Sequence, residues 1–508
     1  MDLYKLADYL PSVKKPEHKP NFKEKIMWSG LMLILFYVLG SIIVWGVDSS
    51  RIAQFEFLEI VFGSKFGSLI TLGIGPIVTA SIILQLLVGS KILSWDTKTP
   101  EGKAKFQGTQ KILAIAFSIL EAAAYVLTGA VPPIGGQALF AAILIFQLTL
   151  GGIIIIFMDE VVSKWGVGSG ISLFIVAGVA KTILVSLINP LAADGALPTP
   201  ENPAVGLLPS LITYIGSGQP AQALVAMFPL ISTLAVFTIV LFAQGMRIEI
   251  PMAITMPFGK FGSRRWPLKF IYTSNIPVIL TAAVLANLQV LFRSLSSSLP
   301  FFGTYDRSGA VLGGLALFIQ VPNSVGLMLT ATIAGIFGLA FALVAAKILK
   351  KFVLRFILLG IIVGIIAGTL ATGALGLPSV TSQDALRALV YTLIMISGSV
   401  LFSMFWVGTA GMDAKSVSEQ FKSSFLSLPG FRRDPRIIED VLGRYIPAVT
   451  VMGGAFVGLL AGFADMTNAI GTGTGILLTV MIFQQMYDQI MQQHSDDLPP
   501  VLKKIVGQ

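Results

Sequence analysis

Apolar residues are gathered along the chain in a dozen stretches, separated by shorter polar segments. A helix needs about 20 mostly apolar residues to cross the hydrocarbon core of a bilayer. The candidate spans are 27–47, 68–89, 112–128, 138–157, 170–188, 223–242, 271–291, 327–346, 356–376, 388–407, 446–464 and 475–491. The pattern therefore predicts an all-α polytopic membrane protein.

The second span carries a signal for a break. It opens with Leu72-Gly-Ile-Gly-Pro76, where the missing amide of Pro76 and two flexible glycines should interrupt or kink the helix. A broken helix at membrane depth is tolerated only where it faces protein or a water-filled cavity. The amphipathic stretch 52–61 before it is too short to span. It is either an interfacial helix on the headgroups or a small re-entrant helix folded back into the protein.

Composition supports the membrane prediction and excludes several classes of site. The mean hydropathy is +0.83, and charged residues make up 12% of the chain, about half the share of an ordinary soluble protein. Without cysteine there are no disulfides, thiolate ligands or cysteine nucleophile. The two histidines, His18 and His494, lie in polar terminal segments. A histidine-based zinc or haem site is therefore not expected.

Membrane topology explains most of the net charge of +9. If the N-terminus is cytoplasmic and the spans alternate, 29 of the 35 Lys and Arg residues fall in cytoplasmic segments, five fall outside, and Lys181 lies within a span. Such an excess follows the positive-inside rule. Both termini are therefore expected in the cytoplasm, and the long segment between spans five and six is expected outside.

Two cytoplasmic loops are more basic than topology requires. Their basic residues include Lys260, Arg264 and Arg265 in the loop 247–269, and Arg432, Arg433, Arg436 and Arg444 in the loop 432–444. Arginines on extended loops suit docking to a large polyanion. Composition alone leaves this hypothesis open beside contact with anionic lipid headgroups.

Signatures of enzymes are scarce. The run Gly-Thr-Gly-Thr-Gly at 471–475 is not followed by Gly-Lys-Ser/Thr, so we interpret it as a turn that starts the last helix and not as a phosphate-binding loop. No Ser/His/Asp or paired-carboxylate arrangement is visible within the spans. The chain is not expected to be an enzyme, and it is expected to need no cofactor or metal.

Ionisable residues inside spans are the remaining candidates for function. Glu121 and Lys181 are the ones that sit clearly within apolar runs, and Lys181 is long enough to reach an interface. A coupled transporter usually offers more titratable groups near the midplane. A secondary transporter with a discontinuous helix is kept as the alternative to a passive pathway lined by aliphatic side chains.

Five segments are distinctive when taken together. They are LITLGIGPIVTASIILQLLVG at 69–89, DEVVSKWGVGSGISLF at 159–174, SNIPVILT at 274–281, RYIP at 444–447 and GTGILL at 473–478. In their residues and their order along the chain, these segments resemble the SecY family, and its archaeal and eukaryotic branch in particular. Members of this family are the channel-forming alpha subunits of the protein-secretion translocon. The resemblance covers nearly the whole chain.

The resemblance implies ten core transmembrane helices in two pseudo-symmetric halves around an hourglass pore, although the sequence shows no convincing repeat. The expected parts are a cytoplasmic N-terminal segment (1–25), a first half (26–190), an external loop (191–222), a second half (223–491) and a cytoplasmic tail (492–508).

One departure from the family is expected. Two extra apolar segments within about 326–378, joined by a basic connector around Lys350, predict an inserted two-helix hairpin that keeps the later spans in their orientation. Its Ala and Gly content would permit close helix packing.

The resemblance also assigns functional residues. The implied pore ring is Ile74, Val78, Ile171, Ile175, Ile279 and Leu478. The implied plug, at about 52–64, includes Ile52, Phe55, Phe57, Leu58 and Ile60. A polar cluster of Thr79, Glu121 and Asn287 lies beneath it, and a lateral gate opens between spans two and seven, with Ile77 and Ile276 on its two sides.

The function implied is a passive protein-conducting channel in the cell membrane, which secretes unfolded polypeptides and releases hydrophobic helices sideways into lipid. The implied partners are the small subunits SecE (gamma) and Sec-beta, a ribosome docked on the two basic loops, signal sequences and nascent chains, and membrane lipid.

Overall fold

The computed structural model describes residues 10–18, 20–48, 67–89, 92–93, 95, 99–192, 196–199, 202–255, 261–273, 276–296, 299–306, 311–322, 324–344, 353–423, 426–427, 435–470 and 473–494. In the first half the described helices are α1 (Phe22–Ser41), α2 (Gly75–Gly89), α3 (Pro100–Leu127), α4 (Ala138–Trp165) and α5 (Gly170–Ile188).

The rest of the chain adds helices and short strands. The helices are α6 (Leu207–Gly216), α7 (Pro220–Gly245), α8 (Ile276–Leu295), α9 (Ala316–Ile319), α10 (Val325–Val344), α11 (Val353–Ala374), α12 (Ser382–Thr409), α13 (Ala414–Ser423), α14 (Pro435–Met466) and α15 (Gly473–His494). The strands are β1 (Arg247–Thr255), β2 (Phe261–Lys269), β3 (Thr304–Tyr305), β4 (Val311–Gly313) and β5 (Leu426–Ser427).

Every predicted span contains a long part of one helix, and the boundaries differ by up to twelve residues. Among the described residues, eight helices are long and apolar enough to cross a membrane, and α2 and part of α11 are apolar but shorter. The largest boundary errors are at the starts of the third and eleventh spans, predicted at residues 112 and 446, because α3 begins at Pro100 and α14 begins at Pro435. The segment 191–222, predicted as an external loop, contains the short helix α6.

The break predicted in the second span is confirmed. Residues 69–74 form turns with Gly73 at φ +51°, and α2 begins only at Gly75, so that Pro76 occupies its first turn. Ile70, Leu72 and Ile74 are each 1% exposed. The irregular backbone therefore faces protein, as the bilayer requires.

The inserted segments form the expected helical hairpin, α10 packed against α11. Gly360, Gly364 and Gly368 repeat every four residues along α11 and face the partner helix. A Cβ placed on Gly364 would lie 2.5 Å from the Cα of Ala334, and one on Gly368 would lie 2.7 Å from the Cα of Thr330. These glycines let the two backbones come together as small residues do in membrane helix pairs.

A small three-stranded sheet lies between membrane helices, with the strand order β2-β1-β5. Apolar residues alternate along β1 at positions 248, 250, 252 and 254, which favours a strand with one covered face. Ile250 and Leu268 pack with residues of α13 and α14 in a second hydrophobic cluster. The sheet is thus fixed to the ends of the membrane helices.

One large hydrophobic cluster runs through both halves of the molecule. The halves meet where α2 contacts α8 and α12, and where α5 contacts α15. The predicted pore and gate residues lie at these junctions.

Candidate pore and lateral gate

Four helices bring aliphatic side chains together at the junction of the halves. The predicted ring residues are Ile74 directly before α2, Val78 in the first turn of α2, Ile171 and Ile175 on α5, Ile279 on α8 and Leu478 on α15. All lie in one hydrophobic cluster or pack directly against it. Apart from Ile171, which is partly buried, each is less than 9% exposed. Each helix contributes its first or second turn.

The aliphatic constriction predicted for these six residues has definite chemical properties. Branched hydrocarbon side chains offer no hydrogen bonds or charges to a passing segment, and they resist ions by excluding water. They also change rotamer easily enough to fit side chains of different size. The arrangement suits an extended polymer better than a small solute that has to be recognised.

The predicted polar cluster forms a chain of two hydrogen bonds. The Nδ2 group of Asn287 donates to Oγ1 of Thr79 at 3.2 Å, and the Thr79 hydroxyl donates to Oε1 of Glu121 at 2.7 Å. These contacts join α8, α2 and α3. Glu121 is 7% exposed, and its Oε2 has no hydrogen-bond partner within the described part of the chain.

The predicted gate helices α2 and α8 are in contact along a seam. Ile77 on α2 is buried in the large hydrophobic cluster. Ile276, the first residue of α8, packs against that cluster. At the far end of α2, a Cβ placed on Gly89 would lie 2.6 Å from Cδ1 of Phe405 on α12. Gly89 therefore fits closely against α12, and the Asn287–Thr79 bond is a polar link between α2 and α8.

The two predicted docking loops are brought together by the small sheet. Strand β5, which precedes the predicted loop 432–444, pairs with β1 of the predicted loop 247–269, with Ala253 opposite Ser427. The Arg265 side chain is 74% exposed, and its Nη1 donates to Oε2 of Glu249 at 2.8 Å. This hydrogen bond and the positive charge hold the pKa of Glu249 below its ordinary value.

Several predicted site residues lie outside the described residues. These are the plug residues Ile52, Phe55, Phe57, Leu58 and Ile60, and the loop residues Lys260, Arg432 and Arg433. Arg264 lies on β2 opposite Met252, and Arg436 is exposed near the start of α14.

Two carboxylates near the pore were missed by the sequence reasoning. Asp159 on α4 accepts a hydrogen bond from the amide of Ile171, a ring residue. Asp465 on α14 is 6% exposed and accepts bonds from Thr474 and Tyr391. Asp465 was overlooked because it follows directly after the predicted end of its span. In the described ranges no group of three or more His, Asp or Glu side chains could hold a metal ion.

Comparison with known proteins places this architecture. The SecY family profile matches residues 68–487. The protein translocase subunit SecY of Methanothermobacter thermautotrophicus is 39% identical over 99% of this chain and 98% of its own. The corresponding subunit of Pyrococcus furiosus is 37% identical with the same coverage.

Solved structures agree with these sequence relatives. A protein-conducting channel superposes with a TM-score of 0.75 at 36% identity, covering 97% of each chain. Sec61 of the canine ribosome–channel complex from the endoplasmic reticulum gives 0.72 at 36% identity, again covering 97% of each chain. Buried aliphatic side chains between two helical halves, a polar link between α2 and α8, and relatives matched over nearly their whole length lead to one conclusion: the chain belongs to the SecY family.

Proposed function

We propose that this chain is the central pore-forming subunit of a Sec translocon, a passive channel for unfolded polypeptides. The observation that supports the proposal is that six aliphatic residues from both halves lie in, or pack against, one buried hydrophobic cluster where the halves meet. The chain is a channel protein and not an enzyme. The coupled-transporter alternative is not retained, because the relatives are protein-conducting channels.

The seam between α2 and α8 provides the second exit. A nascent segment of about 20 apolar residues gains much free energy on leaving water for lipid, at about 25 cal/mol per Å² of buried apolar surface. Parting the seam breaks the Asn287–Thr79 bond and separates apolar side chains. A hydrophobic signal sequence or membrane helix can replace those contacts, whereas a polar segment cannot.

We further propose that the segment 52–64 is a plug that closes the outer side of the ring. It is amphipathic, it is too short to span, and it immediately precedes the broken start of α2. In a relative of known structure, the plug domain stabilises the closed state of the channel and maintains a membrane seal. Deleting 52–64 should raise ion leak through reconstituted bilayers; unchanged conductance would exclude this role.

The ribosome is the proposed docking partner of the sheet β1-β2-β5 and the loops around it. The exposed Arg265 and Arg436 are suited to phosphate groups, and the pairing of β1 with β5 joins the two loops into one surface. Canine Sec61 is seen in a ribosome–channel complex. SecE (gamma) and Sec-beta are proposed as small partner subunits on family membership.

The protein is a multi-pass membrane protein, and we propose the cell membrane as its location with both termini in the cytoplasm. The distribution of Lys and Arg supports this orientation. The N-terminal segment also lies against the predicted cytoplasmic ends of α3 and α4, where Lys111 Nζ donates to the Pro11 carbonyl at 2.7 Å and Trp165 Nε1 donates to the Lys14 carbonyl at 2.9 Å.

Crosslinking of a stalled nascent chain tests the proposed function. Photoreactive probes at Ile77, Val78, Leu84 and Ile279 should crosslink to the nascent chain. A probe at Ile362 on α11, which is 55% exposed on the outside of the helical bundle, should not. Absence of crosslinks at all four inner positions, or equal labelling at Ile362, would overturn the proposal.

A further inference from the structure

We infer that Asp159 and Asp465 are matched positioning residues, which fix the first turns of the pore-lining helices α5 and α15 in the two halves of the channel. The inference rests on the proposed function, because it assigns these carboxylates a role in the geometry of the pore ring.

In the first half, α4 supplies the carboxylate for the start of α5. The amide of Ile171, the second residue of α5, donates to Oδ1 of Asp159 at 2.9 Å. The helices approach so closely that a Cβ placed on Gly170 would lie 2.5 Å from the Cα of Asp159. Glycine is therefore required at this position, and a residue of the ring is held directly by the carboxylate.

In the second half, α14 supplies the carboxylate for the start of α15. The amide of Thr474, again the second residue of its helix, donates to Oδ1 of Asp465 at 2.9 Å. The Thr474 hydroxyl donates to Oδ2 at 2.5 Å, and the Tyr391 hydroxyl on α12 donates to the same oxygen at 2.8 Å. The ring residue Leu478 follows one turn after Thr474.

A hydroxyl from the first membrane helix of each half holds the connecting loop. The amide of Val167 donates to Oγ of Ser29 on α1 at 2.9 Å, and the amide of Ile470 donates to Oγ1 of Thr233 on α7 at 2.9 Å. Each loop also contains a residue in the left-handed region, Gly168 at φ +75° and Asn468 at φ +49°. Two loops in different halves thus share the same three features.

The sequence carries a matching repeat that the sequence analysis did not identify. The first loop reads Gly-Val-Gly-Ser-Gly-Ile at 166–171, and the second region reads Gly-Thr-Gly-Thr-Gly-Ile at 471–476. An aspartate stands seven residues before the first motif and six before the second. In the motif, α15 begins at the third residue and α5 begins at the fifth, so the amide bonded to the aspartate belongs to the fourth residue of the second motif and to the sixth residue of the first.

The physical need for a carboxylate is the same in both places. The first amides of a helix have no partner within the helix, and water is not freely available at membrane depth to satisfy them. A carboxylate provides strong acceptors and is favoured by the positive end of the helix dipole. Since the ring side chains lie within one or two turns of these amides, a helix start that shifts also moves the ring.

The two helix starts held by Asp159 and Asp465 lie towards opposite sides of the membrane. Four membrane crossings precede the loop between α4 and α5, so that loop lies on the side of the N-terminus. Counting the inserted hairpin, an odd number of crossings precedes the loop between α14 and α15, which therefore lies on the other side. The ring is held from both faces by equivalent carboxylates.

Resting ion conductance of the full chain in proteoliposomes tests the inference. Asp159→Ala and Asp465→Ala should each raise conductance about fivefold or more, the shift expected from the loss of one helix cap. Asp159→Asn keeps an oxygen acceptor for the Ile171 amide and should restore a low conductance. Parent-like conductance in both folded alanine variants would overturn the inference.

Matched controls separate positioning from general stability. Glu160→Ala, next to Asp159, removes ion pairs to Lys111 and Lys164. Thr450→Ala removes a buried hydroxyl within α14. Both should lower the melting temperature without raising conductance. A rise in conductance equal to that of the aspartate variants would show that the effect is only structural.

Two milder variants keep the test decisive where an alanine variant does not fold. Ser29→Ala and Thr233→Val remove a single hydroxyl from the same loops, and each should raise conductance by a smaller factor. Parent-like conductance in both would again overturn the inference. Translocation by the parent chain is measured in parallel: a parent that fails to translocate contradicts the proposed function, whereas a working parent with unaffected variants contradicts only the inference.

Discussion

The side-chain amide of Asn287 donates a 3.2 Å hydrogen bond to the hydroxyl of Thr79, and this bond crosses the seam between α8 and α2. The same hydroxyl donates a hydrogen bond to Oε1 of Glu121 at 2.7 Å. Separation of α2 from α8 therefore requires the free energy to break this hydrogen bond in addition to the free energy to separate apolar surfaces.

Asn287→Ala should make the seam easier to open. Loss of one hydrogen bond is worth about 1 kcal/mol, which shifts an equilibrium about 5-fold. We expect moderately hydrophobic test segments to enter the lipid more often, measured as their inserted fraction. Gln289→Ala is the control, because Gln289 lies on the same helix but bonds to the Ile319 carbonyl. An inserted fraction that rises equally in both variants would contradict the role of the seam bond.

Ile279→Ser should raise the ion conductance of the resting channel. A hydroxyl in the constriction binds water and weakens the exclusion of ions. Val278→Ser is the matched control, since Val278 is fully buried on the same helix and is not a ring residue. It should lower thermal stability without increasing conductance. A resting ion conductance of the Ile279→Ser variant equal to that of the parent would exclude this residue from the ring.

Charge reversal in the docking loops should weaken ribosome binding. We expect Arg264→Glu with Arg433→Glu to raise the dissociation constant, with the largest effect at low salt because exposed charges are screened at high ionic strength. Co-sedimentation at several salt concentrations measures this. Lys103→Glu reverses a charge on the same predicted face outside the loops and should bind like the parent. Salt-independent or unchanged affinity of the double variant would count against docking there.

The inserted hairpin should depend on its glycines. Gly364→Val forces atoms into the backbone of Ala334 and should cost about 1–3 kcal/mol of hairpin packing. Gly373→Val on the same helix is the control, because a Cβ there has no heavy atom within 4 Å. The melting temperature in detergent should fall in the first variant only. Equal stability of the two variants would show that close packing does not hold the hairpin together.

The topology predicts that Lys350 is cytoplasmic. Since the chain contains no cysteine, Lys350→Cys provides a single labelling site. An impermeant thiol reagent should reach it only after the membrane is opened, whereas it should label Asn202→Cys in the external loop of intact cells. Labelling of position 350 from outside would invalidate the hairpin orientation.

The helices within the apolar stretches could be predicted from the sequence, because a crossing of the bilayer requires about 20 mostly apolar residues. The break before Pro76 was equally clear, since glycine and proline act through the local backbone. The sheet that joins the two basic loops was missed, because the pairing of Ala253 with Ser427 connects residues far apart in sequence.

Some polar contacts of the candidate site were predicted and others were not. The Thr79–Glu121 contact was expected from family resemblance, and the structure supplies the geometry by packing α2 against α3. Asp159 and Asp465 were not predicted as site residues, because a carboxylate at the end of a span resembles an ordinary interfacial charge. The pair of glycine motifs that follow them was the available signal.

The broken start of α2 also has a consequence for the surrounding lipid. A helix of 15 residues rises about 22 Å, which is less than the hydrocarbon thickness of about 30 Å. The turns of residues 69–74 complete this crossing, and Ile70, Leu72 and Ile74 among them are buried in protein. An emerging helix can therefore pack against a regular helical surface of α2 over only part of the bilayer thickness, and over the remainder it has to contact other elements or lipid.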